Sequence, residues 1–285
     1  MRGLWIVARQ TLQECVRRRV FLVVPVATAG FIGLFSLGSH YAFQARNGPG
    51  GLVPLPLDIR VLTGSTLVGL SMFVTLFLAS ALGIFLTFSA IRGDAEQGMI
   101  QPLIVRPIAR PGLLFGRFIG TSIVCATYAA FLYAASVTIT WTIGSWRPEP
   151  LLPPALALLG AVEIVIVLSL LGSAFLTALP NGIAMFMLYG AGLLAGLLSQ
   201  LGRTLGSSAL ETTGRVASWL LPFEALYQHG LYSLTATTRG VTGVVVRLGP
   251  LGGAEEGGPL LTLWVALYFV LIMGISLTVF AKRDL

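Results

Sequence analysis

Charge is the scarcest commodity in this sequence. Of 285 residues, 10% are Asp, Glu, Lys or Arg, against 55% that are hydrophobic, whereas a soluble domain carries roughly 25% charged residues. A chain with so little polar surface cannot stay dispersed in water, so a soluble globular protein is excluded. Lysine is nearly missing: 17 of the 18 basic residues are Arg, and the single Lys is Lys282. A phosphate-cradling loop needs Gly-x-x-x-x-Gly-Lys-Ser/Thr, and Lys282, close to the last residue, cannot carry one. Histidine occurs twice, as His40 and His229, which excludes a His-Glu-x-x-His zinc helix. Cys15 and Cys125 have neither the number nor the spacing of a disulfide framework or a metal site. Both read as small apolar packing residues.

What the sequence has is long apolar runs. About 20 apolar residues cross the hydrocarbon core as a helix, and six stretches qualify: Val20–Tyr41, Leu67–Ile91, Leu113–Ile143, Leu151–Leu179, Ile183–Leu201 and Leu260–Ala281. The expected fold is an all-α, polytopic membrane protein with a single domain over residues 1–285. The third and fourth runs exceed the minimum, which predicts tilt or extension beyond the bilayer. Ahead of the first run, residues 1–19 place Leu4, Trp5, Ala8, Leu12, Cys15 and Val16 on one side of a helix. Arg9, Gln10, Gln13 and Arg17 fall on the other. That pattern predicts an amphipathic helix lying flat at the headgroups. A signal peptide is the rival reading, but its leader would be shorter and a small-residue cleavage site should follow.

The basic residues sit in short clusters between apolar runs, not along one groove-facing stripe, so nucleic acid is not an expected partner. With both termini in the cytoplasm, 11 of the 18 basic residues fall inside: Arg2, Arg9, Arg17, Arg18, Arg19, Arg92, Arg106, Arg110, Arg117, Lys282 and Arg283. This orientation satisfies the positive-inside rule. Spans four and five are expected to join through a tight turn at Leu179-Pro180-Asn181-Gly182. Residues 202–258 form a long outer loop. Within it, Val216–Tyr227 is apolar, too short to span and interrupted by Pro222, so it reads as a re-entrant or interfacial helix. His229 and Ser233 lie nearby without a third orienting group. His229 therefore reads as a polar interfacial residue, and no catalytic residue is assigned.

The most informative segment is the cytoplasmic connection over residues 92–111. Asp94 and Glu96 open it, Arg106 and Arg110 close it, and Met99, Ile100, Leu103 and Ile104 lie between. Acids at the start and Arg at the end suit the helix dipole. The i, i+4 pairs Met99–Leu103 and Ile100–Ile104 give an apolar face that a plain connector would not need.

This segment resembles the coupling loop of the ATP-binding cassette (ABC) type 2 exporter permeases, in particular their NosY-like branch. Asp94 and Glu96 match the family's acidic pair, Gly98 its glycine, Pro107 and Arg110 its Pro–Arg pair, and Arg117 a later basic residue. Phe280–Leu285 looks like the family's closing motif, and Leu221-Pro222-Phe223-Glu224-Ala225-Leu226-Tyr227 like a Pro-acid-Tyr segment after span five. Met99 stands where Thr is common, and Pro102 interrupts the loop helix. The resemblance implies two such subunits, most simply a homodimer, in a bacterial inner membrane. Each would dock Asp94, Glu96, Gly98, Met99, Ile100, Leu103, Arg106, Pro107 and Arg110 on a cytoplasmic ATPase subunit that binds ATP and Mg. This chain itself would hold no cofactor or metal.

Two features inside the spans complete the reading. Gly192 and Gly196 make a Gly-x-x-x-Gly step in span five; small residues let helices approach closely in lipid, at a subunit interface shared with span one or within the chain. Glu163 lies near mid-membrane in span four, where a lipid-facing carboxylate is costly. It is either a point on the translocation path or hydrogen-bonded to a neighbouring hydroxyl. A secondary transporter or channel remains the alternative, although such proteins tend to carry several mid-membrane ionisable groups.

Overall fold

The computed structural model describes residues 20–44, 58–87, 110–234, 236 and 256–282. Every regular element among them is a helix: α1 (Val20–Gln44), α2 (Ile59–Thr87), α3 (Arg110–Gly144), α4 (Leu152–Phe175), α5 (Ala178–Leu205), α6 (Ser208–Leu220), α7 (Pro222–Leu234) and α8 (Gly258–Lys282). Helix is what apolar runs of this length must form in lipid, because only a closed backbone ladder satisfies the peptide groups without water. Six of the eight, α1 to α5 and α8, are long and apolar enough to cross a membrane. They are the six expected spans.

Two boundaries move, each for a local reason. α2 begins at Ile59, eight residues before the expected start. Asp58 caps it there: its Oδ1 accepts from the backbone N–H of Arg60 at 3.0 Å and of Val61 at 3.4 Å. The turn between α4 and α5 lies at Leu176-Thr177, not at residues 179–182. Pro180 sits in the first turn of α5, where its missing N–H has no intrahelical use. Asn181, fully buried, donates from Nδ2 to the carbonyl of Ser169 at 3.0 Å and ties α5 back to α4.

α4 is the axis of the bundle. It contacts α2, α3, α5, α7 and α8, and Leu158, Ala161, Val162, Ile164, Ile166 and Leu170 on it are at most 1% exposed. α1 and α8 are peripheral, the first against α2 and α3, the second chiefly against α3 and α4.

α6 and α7 do not cross. Gly206, at φ 66°, ends α5 in the left-handed conformation that glycine adopts freely, and α6 then runs back along α5. The two backbones touch: a side chain at Gly214 would meet the carbonyl oxygen of Ala195 at 2.8 Å. After the break at Leu221, α7 returns between α2, α4 and α5, so α6 and α7 form a helical hairpin whose tip points into the bundle. The spans thus have a hairpin end and an opposite end.

Candidate functional site: the re-entrant hairpin and the polar points of the spans

α7 is held by its own side chains. Phe223 is 1% exposed and stacks on Tyr189 of α5 at 5.3 Å between ring centroids. Tyr227, fully buried, donates its hydroxyl to the carbonyl of Gly69 on α2 at 3.2 Å and packs edge-on against Phe73. The Leu221–Tyr227 stretch thus becomes the hairpin's tip and its deepest anchor.

Gly192 and Gly196 have close neighbours within the same chain. A side chain at Gly192 would collide with the ring of Phe223, and one at Gly196 with Glu224 Oε1 at 2.6 Å and Gln228 Nε2 at 2.8 Å. The close approach that the small residues permit is used by α7 of the same chain.

Glu224 is the most buried carboxyl described, 3% exposed. Gln228 Nε2 donates to its Oε1 at 3.3 Å, while Oε2 has no hydrogen-bond partner among the described residues. Burial pushes this carboxyl from its ordinary 4.5 up to about 8, against the smaller opposing effect of Gln228. At neutral pH it is mostly protonated, which is how an acid survives in such a place. Sequence reasoning matched Glu224 to a family motif but gave it no role. The signal available was an acid inside an apolar segment.

Glu163 bridges two spans: Ser122 Oγ of α3 donates to its Oε2 at 2.6 Å. Of the two readings, the hydrogen bond to a neighbouring hydroxyl is present. His229 is accounted for as well, since its Nδ1 accepts from the backbone N–H of Gly257 at 3.1 Å and fastens the start of α8 to α7. Ser233 Oγ donates instead to the carbonyl of Gly230 at 2.8 Å, so the two do not form a nucleophile–base pair. Among the described residues there is no cluster of His, Cys, Asp and Glu able to hold a metal. Arg117 is buried in α3. The amphipathic segment 1–19 and the coupling positions Asp94, Glu96, Gly98, Met99, Ile100, Leu103, Arg106 and Pro107 lie outside the described residues; Arg110 is the first residue of α3.

Two curated proteins, each named a probable ABC transporter permease protein NosY, are similar to this chain. The one from Pseudomonas aeruginosa is 28% identical over 122 residues, which is 43% of this chain and 40% of that protein. The one from Stutzerimonas stutzeri is 26% identical over 126 residues, 44% of this chain and 41% of the relative. Over that stretch the chain is similar to these NosY permeases. No family model matches it, and the match spans about two fifths of either relative's length. The similarity agrees with the resemblance carried by the loop, hairpin and closing motifs, and with a multi-pass bundle of six spans.

Proposed function

We propose that this chain is the membrane-spanning permease subunit of an ABC exporter, forming the translocation path while a separate cytoplasmic subunit binds ATP with Mg and hydrolyses it. The observation that carries the reading is the similarity to NosY permeases on a chain of six spans. The single Lys, Lys282, stands outside any Gly-x-x-x-x-Gly-Lys-Ser/Thr run, in keeping with ATP binding on a separate subunit. Two copies would pair in a bacterial inner membrane, with both termini and the 92–111 segment in the cytoplasm and the hairpin end outside. Pairing would use surface of α1 and α5, with α7 close to Gly192 and Gly196.

Asp94–Pro107 would transmit the motion. So short a helix is marginal alone, and its apolar Met99, Ile100 and Leu103 need a cleft on the ATPase subunit. Asp94, Glu96, Arg106 and Arg110 would set its orientation at the rim. Apolar anchors dominate affinity, whereas rim charges act mainly on association rate and salt dependence. Purification of the tagged chain from its native membrane in mild detergent should bring down an ABC ATPase, and Leu103→Asp should lose it. Glu96→Ala should keep the complex with weaker coupling of ATP hydrolysis to transport. Intact assembly and coupling in Leu103→Asp would make the segment a connector. Transport without any ATPase partner would favour the secondary-transporter reading.

A further inference from the structure

Between α5, the hairpin and the start of α8 lies a cavity of about 460 Å³. Charged residues line it: Arg203 of α5, Glu211 and Arg215 of α6, and Glu256 just ahead of α8. Glu211 and Arg215 answer each other at 2.6 Å, so that pair calls for no bound ion. Glu256 is exposed, as is two thirds of the Arg215 side chain, which keeps the cavity wet. Inward, it reaches Gly196 and Gln228. Gly196 lies roughly 14 Å along the axis from Leu205, the last residue of α5.

Those two residues are the partition between the cavity and the Glu224 carboxyl. Gln228 lines the cavity and donates from Nε2 to Glu224 Oε1 at 3.3 Å. Gly196 has no side chain to interpose, and one built there would meet Oε1 at 2.6 Å. Oε2 is closed off from solvent and has no hydrogen-bond partner among the described residues. A ligand made of heavy atoms has no room beside it; a proton needs none. Tyr189, stacked on the adjacent Phe223, is within electrostatic reach of the carboxyl, and its hydroxyl is likewise buried without a described partner.

The other titratable groups around α7 are engaged elsewhere. Tyr227 donates to Gly69 of α2, His229 accepts from Gly257, and Glu163 of α4 accepts from Ser122. α5 and α6 are charged only at the cavity residues Arg203, Glu211 and Arg215. α2 and α8 are charged only at Arg60 and Lys282, near their ends.

We propose that Glu224 is a proton-binding site loaded from the hairpin end, with Gln228 as the gate between cavity and carboxyl. The proton enters from water in the cavity when the Gln228 amide swings off Oε1, and it leaves by the same route. Loaded, the carboxyl is neutral and α7 lies flush on Gly192 and Gly196. Unloaded, it is a buried charge held by one amide, a costly state, and the seam between α5 and α7 opens toward the cavity to hydrate it. The proton is thus a ligand that closes the hairpin onto α5. The inference does not depend on coupling to ATP or on which compartment the hairpin end faces.

The test uses the full chain reconstituted in one orientation in proteoliposomes, with pH set separately on the two sides. Dicyclohexylcarbodiimide modifies protonated carboxyls in apolar surroundings, and mass spectrometry reads the modification at Glu224. It should fall about tenfold when the hairpin side goes from pH 6 to pH 9, as befits a group titrating at about 8. It should stay level when only the opposite side changes. Gln228→Leu should slow the response to a pH jump on the hairpin side several-fold; should that variant fail to fold, Gln228→Met replaces it. The ratio of α7 amide hydrogen exchange in the unaltered chain to that in Glu224→Gln should rise over the same pH interval. Modification that follows the opposite side overturns the route. Modification absent from Glu224, or indifferent to both pH values, overturns the site. An unslowed response in the folded Gln228 variant overturns the gate, and a flat exchange ratio overturns the closure.

Discussion

α4 and α8 are near twins in sequence character and opposites in the bundle. Both have a span of 24 residues, and both are among the most apolar segments of the chain, yet 56% of the α4 stretch is buried inside the protein against 11% of the α8 stretch. The difference lies in where the small residues fall. α4 carries Ala157, Gly160, Ala161, Ser169, Gly172, Ser173 and Ala174 around its circumference, and each lets a neighbour come close. α8 presents Leu260, Leu263, Leu267, Val270, Leu271 and Ile275 outward, a surface that lipid satisfies as well as protein does. Apolarity therefore says that a helix enters the membrane, and the placement of small side chains says whether it meets protein there.

The comparison can be broken at matched glycines, and the largest effect should come from the α4 side. A side chain at Gly172 would run into Asn181, the residue that ties α5 to α4. Overpacking typically costs ~1–3 kcal/mol and occasionally more, and Gly172→Leu should lose its monodisperse peak in size-exclusion chromatography. On α8, nothing lies within 4 Å of a side chain built at Gly274, so Gly274→Leu should stay within about 0.5 kcal/mol of wild type. A loss at Gly274 as large as at Gly172 would mean that α8 has a protein neighbour in the native assembly, and the contrast would fail.

A second, intermediate effect concerns the hairpin, whose α7 packs closely against α4. Because burial raises the Glu224 pKa, the fold favours the protonated form. Its stabilisation is complete below about 4.5 and is lost as pH rises toward about 8. The melting temperature of the purified chain should accordingly fall between pH 6 and pH 9, and Glu224→Gln should flatten that fall. An unchanged slope in the variant would show that Glu224 is not the group responsible. The smallest effect belongs to the bond between Ser122 and Glu163. Interhelical hydrogen bonds in membranes average about 0.6 kcal/mol, so Ser122→Ala should lower the unfolding free energy by about that much. A loss several times larger would make Glu163 a structural keystone of α3 and α4.

Much of this was legible in the residues. Six apolar runs became six spans because in lipid the backbone has no alternative to the helix, and runs of about 20 residues leave little freedom over where it lies. The Asp58 cap was legible in kind, being an Asp ahead of a helix, but masked by the polar residues Arg60, Thr63 and Ser65 that lengthen α2 beyond its apolar run. The hairpin was read only in part. Pro222 and the short apolar stretch announced something that cannot cross, but α6, with Glu211 and Arg215, has a composition that suits open water equally well. Its place beside α5 is decided by Gly214 touching Ala195, a contact no local pattern displays. Gly192 and Gly196 show the same limit: the spacing promises a close neighbour and leaves open whether it comes from another chain or, as here, from residues thirty positions further on.

The hairpin also bears on how the molecule is made. α6 contains a carboxylate and a guanidinium, and α7 begins with a proline and an acid; neither is long or apolar enough to be handed to lipid as a unit on leaving the ribosome. Their backbone breaks at Leu221, and an irregular turn at membrane depth is tolerated only where protein surrounds it. The spans must therefore stand first, with α2, α4 and α5 already assembled, before the hairpin has anywhere to go. Tyr227 reaching Gly69 across 158 positions of chain is then a late event in biogenesis, and the step that closes the bundle at this end.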